Sequence, residues 1–519
     1  MLGRFFAFIA FAILFIAPVS FSQTGLPPDL DSYINKVLTD FQTPGAGVAI
    51  VKDGKVLLAK GFGTKLLGED QPVDENTLFG IASNTKAFTA TAIAILVERG
   101  VLEWEKPVIN YLPWFQLSDS YITSQTTVRD LLVHRIGLDL GAGDLLWWPE
   151  SKFDRTEIVK RLKYLPFASG FRSQYAYDNV LYIVAGVLIK EVTGLSWEDF
   201  VEKEILNKIG MKRSKLRYAD LLKTDNVSGT HAVINGKIKI VAPFLKDNAN
   251  PAAGLNVSAS DIAKWMTVLL DSGRVNETER IFNPKSIGQL WGLVTPITVR
   301  PPAKELEPLK SNFRGYALGF GLRDYRGYKV VSHTGALPGF YSQVYLIPDL
   351  KIGVAILTNS ETSEAFSVIS NYIVDYLMKA PATDWLTAYK TVKTRNESGS
   401  SDFMKELEEK RNKESKPSLS LLDYAGTYRD AWYGDIIIEP VDGKLIMKFS
   451  MTDVLIGDIE HWQYNTFVVR WRDAELRADA FVNFHLTPSG EIEYVKMEAV
   501  SPDTDFSFDF QHLHLIPVK

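Results

Sequence analysis

Strand-like sequence occurs at both ends of a long segment whose middle is helical, and no other feature limits the fold of this chain as much. Residues 48–51 and 56–59 are apolar runs around Asp53-Gly54, a pair typical of a tight hairpin turn. Three further β-rich runs, separated by turns, follow at 328–334, 340–347 and 352–358. Strands this far apart share a core when they meet in one sheet. The pattern predicts an α/β fold in which an antiparallel sheet is flanked by helices.

The segment between these strands is mostly helical and predicts a helical subdomain. From residue 83 to residue 99 apolar residues recur at steps of three and four, and Gly100 follows as a stop signal. Helical patterns also occur at 179–192, 197–205 and 261–270. An amphipathic helix at 363–378 follows the last β-rich run. Loops rich in Gly, Pro and Trp, such as 141–149, separate these helices.

A charge-dense stretch at 405–414, followed by Pro417, is most simply a solvated helix or a linker, and it indicates a domain boundary. From Tyr424 onward short strand-like runs alternate with turns, which predicts a small all-β domain, a barrel or a sandwich. We therefore divide the chain into a signal peptide, a main domain, a charged linker and a small β domain, at 1–22, 23–400, 401–420 and 421–519.

The first 22 residues have the features of a secretory signal peptide. Arg4 precedes the apolar run 5–17, and small residues precede Gln23. An uncleaved anchor is the alternative, because the 5–21 run approaches the lower limit for a membrane span. Pro18 and the small residues favour cleavage. We expect an exported chain, periplasmic or secreted, with no membrane span in its mature part.

Charge and composition exclude several classes of function. The 57 Lys and Arg against 62 Asp and Glu give a formal charge of −5, which provides no basic field for nucleic acid. The chain has no cysteine, so disulfides, thiolate metal sites and a cysteine nucleophile are excluded. No phosphate-binding loop or His-Glu-x-x-His helix occurs, and His512-x-His514 lacks an evident partner. We expect no cofactor, no metal and a small-molecule or peptide substrate as the partner, with the oligomeric state open.

Three short motifs carry residues capable of chemistry. Ser83 and Lys86 are three apart at the start of the predicted apolar helix, so both side chains lie on one face. Tyr177-Asp178-Asn179 precedes another helix, and His333-Thr334-Gly335 lies in the first of the later β-rich runs. Each motif alone is explained as well by helix capping or packing. Their joint occurrence in this order is what points to a catalytic site. Four other histidines are interpreted as structural: His134, His231, His461 and His485.

These motifs resemble those of the serine β-lactamase and penicillin-binding protein family, in the variant with Tyr in the second motif. The resemblance covers about residues 30–380 and is nearest to the branch of class C β-lactamases, DD-peptidases, D-aminopeptidases and esterases. It implies a β-lactamase/transpeptidase-like fold. The family usually has Thr-Ser-Gly-Leu after the helix that ends at His134, whereas residues 135–138 here read Arg-Ile-Gly-Leu. The tail from Tyr424 resembles the lipocalin-like domain often appended to such hydrolases.

The roles expected from the residues agree with those the resemblance implies. Ser83 is the expected nucleophile, because serine needs an adjacent base and cysteine is absent. Lys86 and Tyr177 are the expected catalytic proton acceptors and donors, and which of them is the primary base is left open. The expected substrate-binding residues are Asn179, His333, Thr334, Gly335 and Ala336. Backbone N–H groups of Ser83 and Ala336 would form the oxyanion hole, and Gly335 would leave room for substrate.

The motifs leave the substrate undecided. A serine hydrolase acting on D-amino-acid peptides, amides or small esters is the leading hypothesis. A class C-like β-lactamase, a slow penicillin-binding or sensor protein and a non-catalytic binding protein are the alternatives. His333 is expected to keep an ordinary pKa of about 6.5 and to be mostly neutral at pH 7.

Overall fold

The computed structural model describes residues 25–518, so the expected signal peptide at 1–22 lies outside the described residues. The α-helices are α1 Leu30–Asp40, α2 Thr85–Glu98, α3 Ser120–Gln125, α4 Arg155–Arg161, α5 Val180–Thr193, α6 Trp197–Val201, α7 Asn207–Ile209, α8 Tyr218–Leu221, α9 Asn250–Ala253, α10 Ala259–Leu270, α11 Pro284–Leu290, α12 Ser363–Met378 and α13 Trp385–Lys410.

The strands form two large antiparallel sheets and two small ones. The strands are β1 Gly45–Lys52, β2 Lys55–Gly63, β3 Phe79–Gly80, β4 His231–Ile234, β5 Lys237–Ile240, β6 Asn256–Val257, β7 Thr295–Pro296, β8 Arg314–Tyr316, β9 Gly321–Tyr325, β10 Tyr328–Leu337, β11 Phe340–Ile347, β12 Ile352–Thr358, β13 Gly426–Asp430, β14 Gly434–Val441, β15 Lys444–Phe449, β16 Ile456–Gln463, β17 Thr466–Trp471, β18 Ala480–Leu486, β19 Ile492–Ala499 and β20 Ile516–Pro517.

The first sheet joins the two ends of the main domain, as the strand pattern predicted. Its order is β2-β1-β12-β11-β10-β9-β8-β7, and β1 pairs with β12 so that Ala49 faces Ala355. Side chains alternate across β1: Val48 and Ile50 pack with α1 and α12, whereas Ala49 and Val51 pack with the helical subdomain. Both faces are therefore buried, which explains the continuous apolar runs in the sequence.

The helical subdomain packs on the second face of this sheet. Its central helix α2 is buried along almost its whole length, and α2 ends before Gly100 as predicted. Thr89 links α2 to its neighbours, because its hydroxyl donates to Pro251 O and accepts from the Trp197 indole. Among residues 25–518 no single helix is long and apolar enough to cross a membrane, although the bent pair formed by α5 and Trp197–Ile209 passes on length and composition.

The second large sheet is the C-terminal domain, a nearly closed antiparallel barrel of eight strands. Its order is β19-β18-β17-β16-β15-β14-β13-β20, and a bridge between Val495 and Leu515 brings the two edge strands together. Alternate residues of each strand point inward, as in Ile436 and Ile438 of β14. The small all-β tail predicted from the sequence is therefore present as a barrel.

Of the two forms expected for the charged stretch, a solvated helix or a linker, the structure has the helix over residues 401–410. Residues 401–410 form the last part of α13, which starts in the main domain at the buried Trp385. Met404 and Leu407 pack against Trp462 of the barrel, and Lys410 pairs with Glu406 one turn away. Apolar contacts stabilise one side of this helix, and ion pairs between residues at i and i+4 stabilise the other. The charge pattern alone did not predict whether the stretch is helical.

Candidate active site

Ser83 lies in a single turn, Ala82–Asn84, that leads directly into α2. The residue before it, Ala82, has φ 47°, in the left-handed region that non-glycine residues seldom adopt. Such strain persists only where the surroundings hold it, and the buried Ile81 and Ala82 supply that packing. The turn leaves Ser83 partly exposed at the mouth of a cleft, while the next turn of α2 enters the core.

Lys86 is fully buried, and its ammonium group contacts three oxygen atoms. Nζ lies 2.9 Å from Ser83 Oγ, 2.7 Å from Asn179 Oδ1 and 3.1 Å from Ala252 O. Burial lowers the pKa of Lys86 to about 7, against the opposing effect of the Asp144 charge, which raises it. A large fraction of Lys86 is therefore neutral at pH 7 and able to accept a proton. The predicted Ser83 and Lys86 pair is brought together as the spacing indicated.

Tyr177 lies beside the same two residues. Lys86 Nζ is 4.8 Å from the centre of the Tyr177 ring. Burial raises the pKa of Tyr177 well above 10, and its hydrogen bond with Ser83 lowers it by less. Tyr177 is therefore a protonated phenol at neutral pH, which makes it a proton donor in its resting state.

Asn179 connects Lys86 to an aspartate that the sequence did not single out. Its Oδ1 accepts from Lys86, and its Nδ2 donates to Asp144 Oδ2 at 2.8 Å. Burial and the nearby Asp509 raise the pKa of Asp144 to about 7. The only sequence signal for Asp144 is an acidic residue inside the otherwise apolar loop 141–149. Asp178, between Tyr177 and Asn179, is also buried, and burial raises its pKa well above the ordinary value.

The end of β10 forms one wall of the cleft. Its pairing with β9 stops at Ser332, whereas its pairing with β11 continues to Leu337. His333, Thr334 and Ala336 therefore have a neighbouring strand on β11's side only, and all three line the cleft with Ser83. Gly335 faces the other way: a Cβ there would lie 2.1 Å from Ile81 O. Its missing side chain makes room for the turn before Ser83, rather than for substrate as expected.

His333 is not the free imidazole that its sequence context suggested. Nδ1 is 2.6 Å from Thr334 O, a pure acceptor, so Nδ1 carries the proton and Nε2 accepts from the Tyr316 hydroxyl at 2.8 Å. Burial and the nearby Lys86 charge lower the pKa of His333 to about 3, in place of the expected 6.5. Both ring nitrogens are thus occupied within the protein, and the ring stays neutral at pH 5 and above.

His134, interpreted from the sequence as structural, lies against the site. The centre of its ring lies 4.2 Å from that of the Tyr177 ring, with the two planes inclined at 34°, and its Nδ1 accepts the backbone N–H of Asp178. Burial, with the charge of Lys86 second, holds the pKa of His134 well below its ordinary value. Its place next to Tyr177 comes from the fold, because the two residues are far apart in sequence.

The cleft between these walls has a volume of about 420 Å³ and is lined by both domains. From the main domain come Tyr175, Tyr316, Arg314 and Arg323 in addition to the predicted residues. From the barrel comes the segment Asp505, Phe506 and Ser507. No residue of the tail was predicted at the site, and nothing in the tail's composition marks these three residues.

The described residues contain no group of three or more His, Asp or Glu side chains arranged to hold a metal ion. His512 of the pair His512-x-His514 contacts Asp509 and Asp139, whereas His514 packs against Tyr494. The two histidines therefore have separate partners.

An antiparallel sheet with a helical subdomain beside it, and a Ser-x-x-Lys turn between the two, defines the β-lactamase/transpeptidase-like α/β fold. Residues 30–377 match the family model named Beta-lactamase, and this chain therefore belongs to the beta-lactamase family. Residues 410–517 match a second model, described as a domain of unknown function, DUF3471.

Known proteins of this fold include hydrolases. The unguisins hydrolase ungD of Aspergillus violaceofuscus is 28% identical over 460 residues, which cover 82% of this chain and 78% of that protein. The octameric penicillin-binding protein homologue of Pyrococcus abyssi superposes with a TM-score of 0.59 at 21% identity, covering 94% of this chain and 99% of the other. The D-amino acid amidase of Ochrobactrum anthropi SV3 gives a TM-score of 0.55 at 22% identity over 70% of this chain and 99% of the amidase.

Proposed function

We propose that this chain is a serine hydrolase that forms an acyl-enzyme at Ser83 and acts on D-amino-acid peptides, D-amino-acid amides or small esters. The observation that carries the proposal is the 2.9 Å contact between Ser83 Oγ and the Nζ of a fully buried Lys86. Burial brings the pKa of Lys86 to about 7, so an activating base is available next to the serine at neutral pH.

The first half of the reaction follows from this geometry. Neutral Lys86 accepts the Ser83 proton as Oγ attacks the substrate carbonyl, and the C–O bond that forms gives a tetrahedral oxyanion. The backbone N–H groups of Ser83 and Ala336 receive that charge. Collapse of the intermediate breaks the bond to the amine or alcohol, which leaves with a proton. Water then attacks the acyl-enzyme by the same route and releases the acid and free Ser83.

The opposite pKa shifts of Lys86 and Tyr177 suit them to different roles. The pKa of Lys86 is lowered, so Lys86 is the group that is readily unprotonated at pH 7. The pKa of Tyr177 is raised, so Tyr177 holds a proton that it can give to the leaving group. We assign Lys86 as the primary base and Tyr177 as the donor that Lys86 replenishes.

The substrate class rests on two supports. A relative is named for hydrolysis of unguisins, and a solved protein of the same fold is named a D-amino acid amidase. The cleft also presents His333 as a neutral ring whose nitrogens are both bonded, so it provides no cation for a β-lactam carboxylate. His333 itself therefore gives a β-lactam carboxylate no advantage over an uncharged amide or ester.

The test is intact-mass measurement of the full chain after incubation with a fluorophosphonate and, separately, with a penicillin. We expect stoichiometric labelling by the fluorophosphonate, and peptide mapping should place the adduct on Ser83. The Ser83→Ala variant is the control and should stay unlabelled. A folded wild-type protein that is never labelled would support a non-catalytic binding protein, and a penicillin adduct that persists for hours would support the slow penicillin-binding alternative.

We also propose that the enzyme acts outside the cytoplasm, on the strength of the signal-like residues 1–22. Expression of the full gene in a bacterial host, followed by fractionation and N-terminal sequencing, checks this. Export with a mature start at Gln23 is the expected result, and an intact Met1 in the cytoplasmic fraction would contradict it.

A further inference from the structure

The C-terminal barrel reaches the proposed catalytic lysine through an unbroken line of hydrogen bonds. Ser507 Oγ donates to Asp144 Oδ2 at 2.8 Å, and the same oxygen accepts from Asn179 Nδ2 at 2.8 Å. Asn179 Oδ1 then accepts from Lys86 Nζ at 2.7 Å. Ser507, Asp144 and Asn179 are all buried, so water does not replace any of these contacts at low cost.

The loop that carries Asp144 is also held from the barrel. Asp509 accepts the backbone N–H of Gly143 at 2.7 Å and that of Leu145 at 3.0 Å, one on each side of Asp144. The Trp147 indole donates to Asp144 Oδ1 at 2.8 Å from within the same loop. Two residues of the barrel, Ser507 and Asp509, therefore hold Asp144 in position, together with Asn179 and with Trp147 of its own loop.

We propose that Ser507 is a positioning residue for the reaction: its hydroxyl holds Asp144 in place, and through Asp144 and Asn179 it orients the amino group of Lys86 toward Ser83. The inference rests on the proposed function, in which Lys86 is the base. It makes the barrel part of the catalytic apparatus, because the main domain alone supplies neither Ser507 nor Asp509.

The expected signature is a change in pH dependence as well as in rate. Ser507 stabilises the ionised form of Asp144, whose charge in turn favours protonated Lys86. Without the hydroxyl, Asp144 ionises less readily, and Lys86 loses its proton at lower pH. The other titratable groups that face Lys86 or Asp144 stay in place in the variant: His134, Tyr177, Asp178, Tyr182, His333, Asp509 and, beyond Asp509, His512.

The experiment measures the second-order rate of Ser83 labelling by a fluorophosphonate between pH 5 and 9, in the full chain. For Ser507→Ala we expect the labelling rate at the high-pH plateau to fall by about three- to tenfold. The acid limb, the part of the profile in which the rate rises with pH, should move to lower pH by about half a unit. Ser507→Thr keeps a hydroxyl and should restore both. Ser489→Ala removes an exposed barrel serine that contacts Thr487, and should match wild type.

The outcomes separate this inference from the proposed function. If wild type is not labelled at Ser83, the proposed function fails. If wild type is labelled and Ser507→Ala has the same profile, or Ser507→Thr is as impaired as Ser507→Ala, the positioning role is wrong. Should Ser507→Ala lose its thermal transition, Asp144→Asn provides the second variant, because it removes the charge that Ser507 stabilises without altering the barrel. It should shift the acid limb in the same direction, and an unshifted limb would overturn the inference.

Discussion

Phe506 of the C-terminal barrel packs directly on Gly141 of the main domain. A Cβ at position 141 would come within 2.8 Å of Phe506 Cδ2 and of the Phe506 backbone oxygen, and Gly141 has φ +70°. Gly141 also donates its N–H to Tyr177 O at 2.9 Å. One glycine thus connects the barrel to the residue we assign as proton donor.

The first prediction uses a pair of glycines with the same backbone conformation. Gly194 has φ +72° and no neighbouring atom within 4 Å of an added Cβ, so Gly194→Ala carries only the cost of the left-handed conformation, about 1–2 kcal/mol. Gly141→Ala carries that cost and about 1–3 kcal/mol more from overpacking on Phe506. Thermal unfolding of the two variants measures the difference, and activity should fall for Gly141→Ala alone.

Equal midpoints of thermal unfolding for Gly141→Ala and Gly194→Ala would mean that the contact with Phe506 adds no overpacking cost at position 141. The proximity of Phe506 and Gly141 would then have no effect on stability.

The second prediction concerns Lys86. Lys86→Met keeps most of the buried aliphatic volume but removes the base, so kcat/KM for a p-nitrophenyl ester should fall by at least about a thousandfold. Lys212→Met, at an exposed position, is the matched control and should behave as wild type. Steady-state kinetics with circular dichroism on the same samples checks the prediction. A folded Lys86→Met enzyme of near-normal activity would show that another group accepts the serine proton.

The third prediction is the sign of the pH dependence. Burial depresses the pKa of Lys86 from 10.5 to about 7, so protonated lysine should limit activity below pH 7 and kcat/KM should rise with pH and level off above it. Between pH 7 and 10.5 the unfolded chain holds more protons at this position than the folded chain does. Wild type should therefore gain stability relative to Lys86→Met as the pH rises through that window.

Paired urea titrations of wild type and Lys86→Met at pH 7 and pH 9 measure the stability difference, since other titrating groups are common to both. A profile of kcat/KM that falls between pH 6 and 8, or a stability difference that is constant with pH, would contradict a lowered pKa.

The fourth prediction separates amide and ester hydrolysis from β-lactam turnover. His333 is neutral, and its ring nitrogens are bonded to Thr334 O and to the Tyr316 hydroxyl, so it offers no charge to a carboxylate. We expect short p-nitrophenyl esters or D-amino-acid amides to have a higher kcat/KM than a chromogenic cephalosporin. The kcat/KM for the cephalosporin should not rise as the pH falls from 8 to 6, because His333 does not gain a proton in that range. A tenfold preference for the cephalosporin would identify the protein as a β-lactamase instead.

The fifth prediction concerns Arg314, an exposed cation that lines the cleft. Because its charge is close to the substrate space, Arg314→Gln should lower any turnover of the anionic cephalosporin severalfold while leaving that of an uncharged ester within about twofold. Arg300→Gln removes an exposed arginine outside the cleft-lining set and is the control. A parallel loss on both substrates would indicate a general effect on the cleft.

Much of the fold could be predicted from the sequence, because its signals are local. The Asp53-Gly54 turn, the apolar helix that begins after Ser83 and the β-rich runs after Tyr328 each depend on residues within a few positions of one another. The same holds for the Ser83 and Lys86 pair, since three residues along a helix bring two side chains together. Sequence also indicated that the ends of the main domain meet in one sheet, because isolated strands of that kind have no other way to bury their apolar sides.

Only the tertiary structure decided what surrounds those motifs. Asp144 and Ser507 are 363 residues apart, and no periodicity links them. The course of α13 across the charged stretch depended on Trp462, far along the chain. The pKa values of Lys86 and His333 depend on burial, which exists only after folding, so the ordinary value expected for His333 was wrong. Local pattern determined which residues could react, and long-range packing determined their protonation and their partners, because desolvation and charge act through space rather than along the sequence.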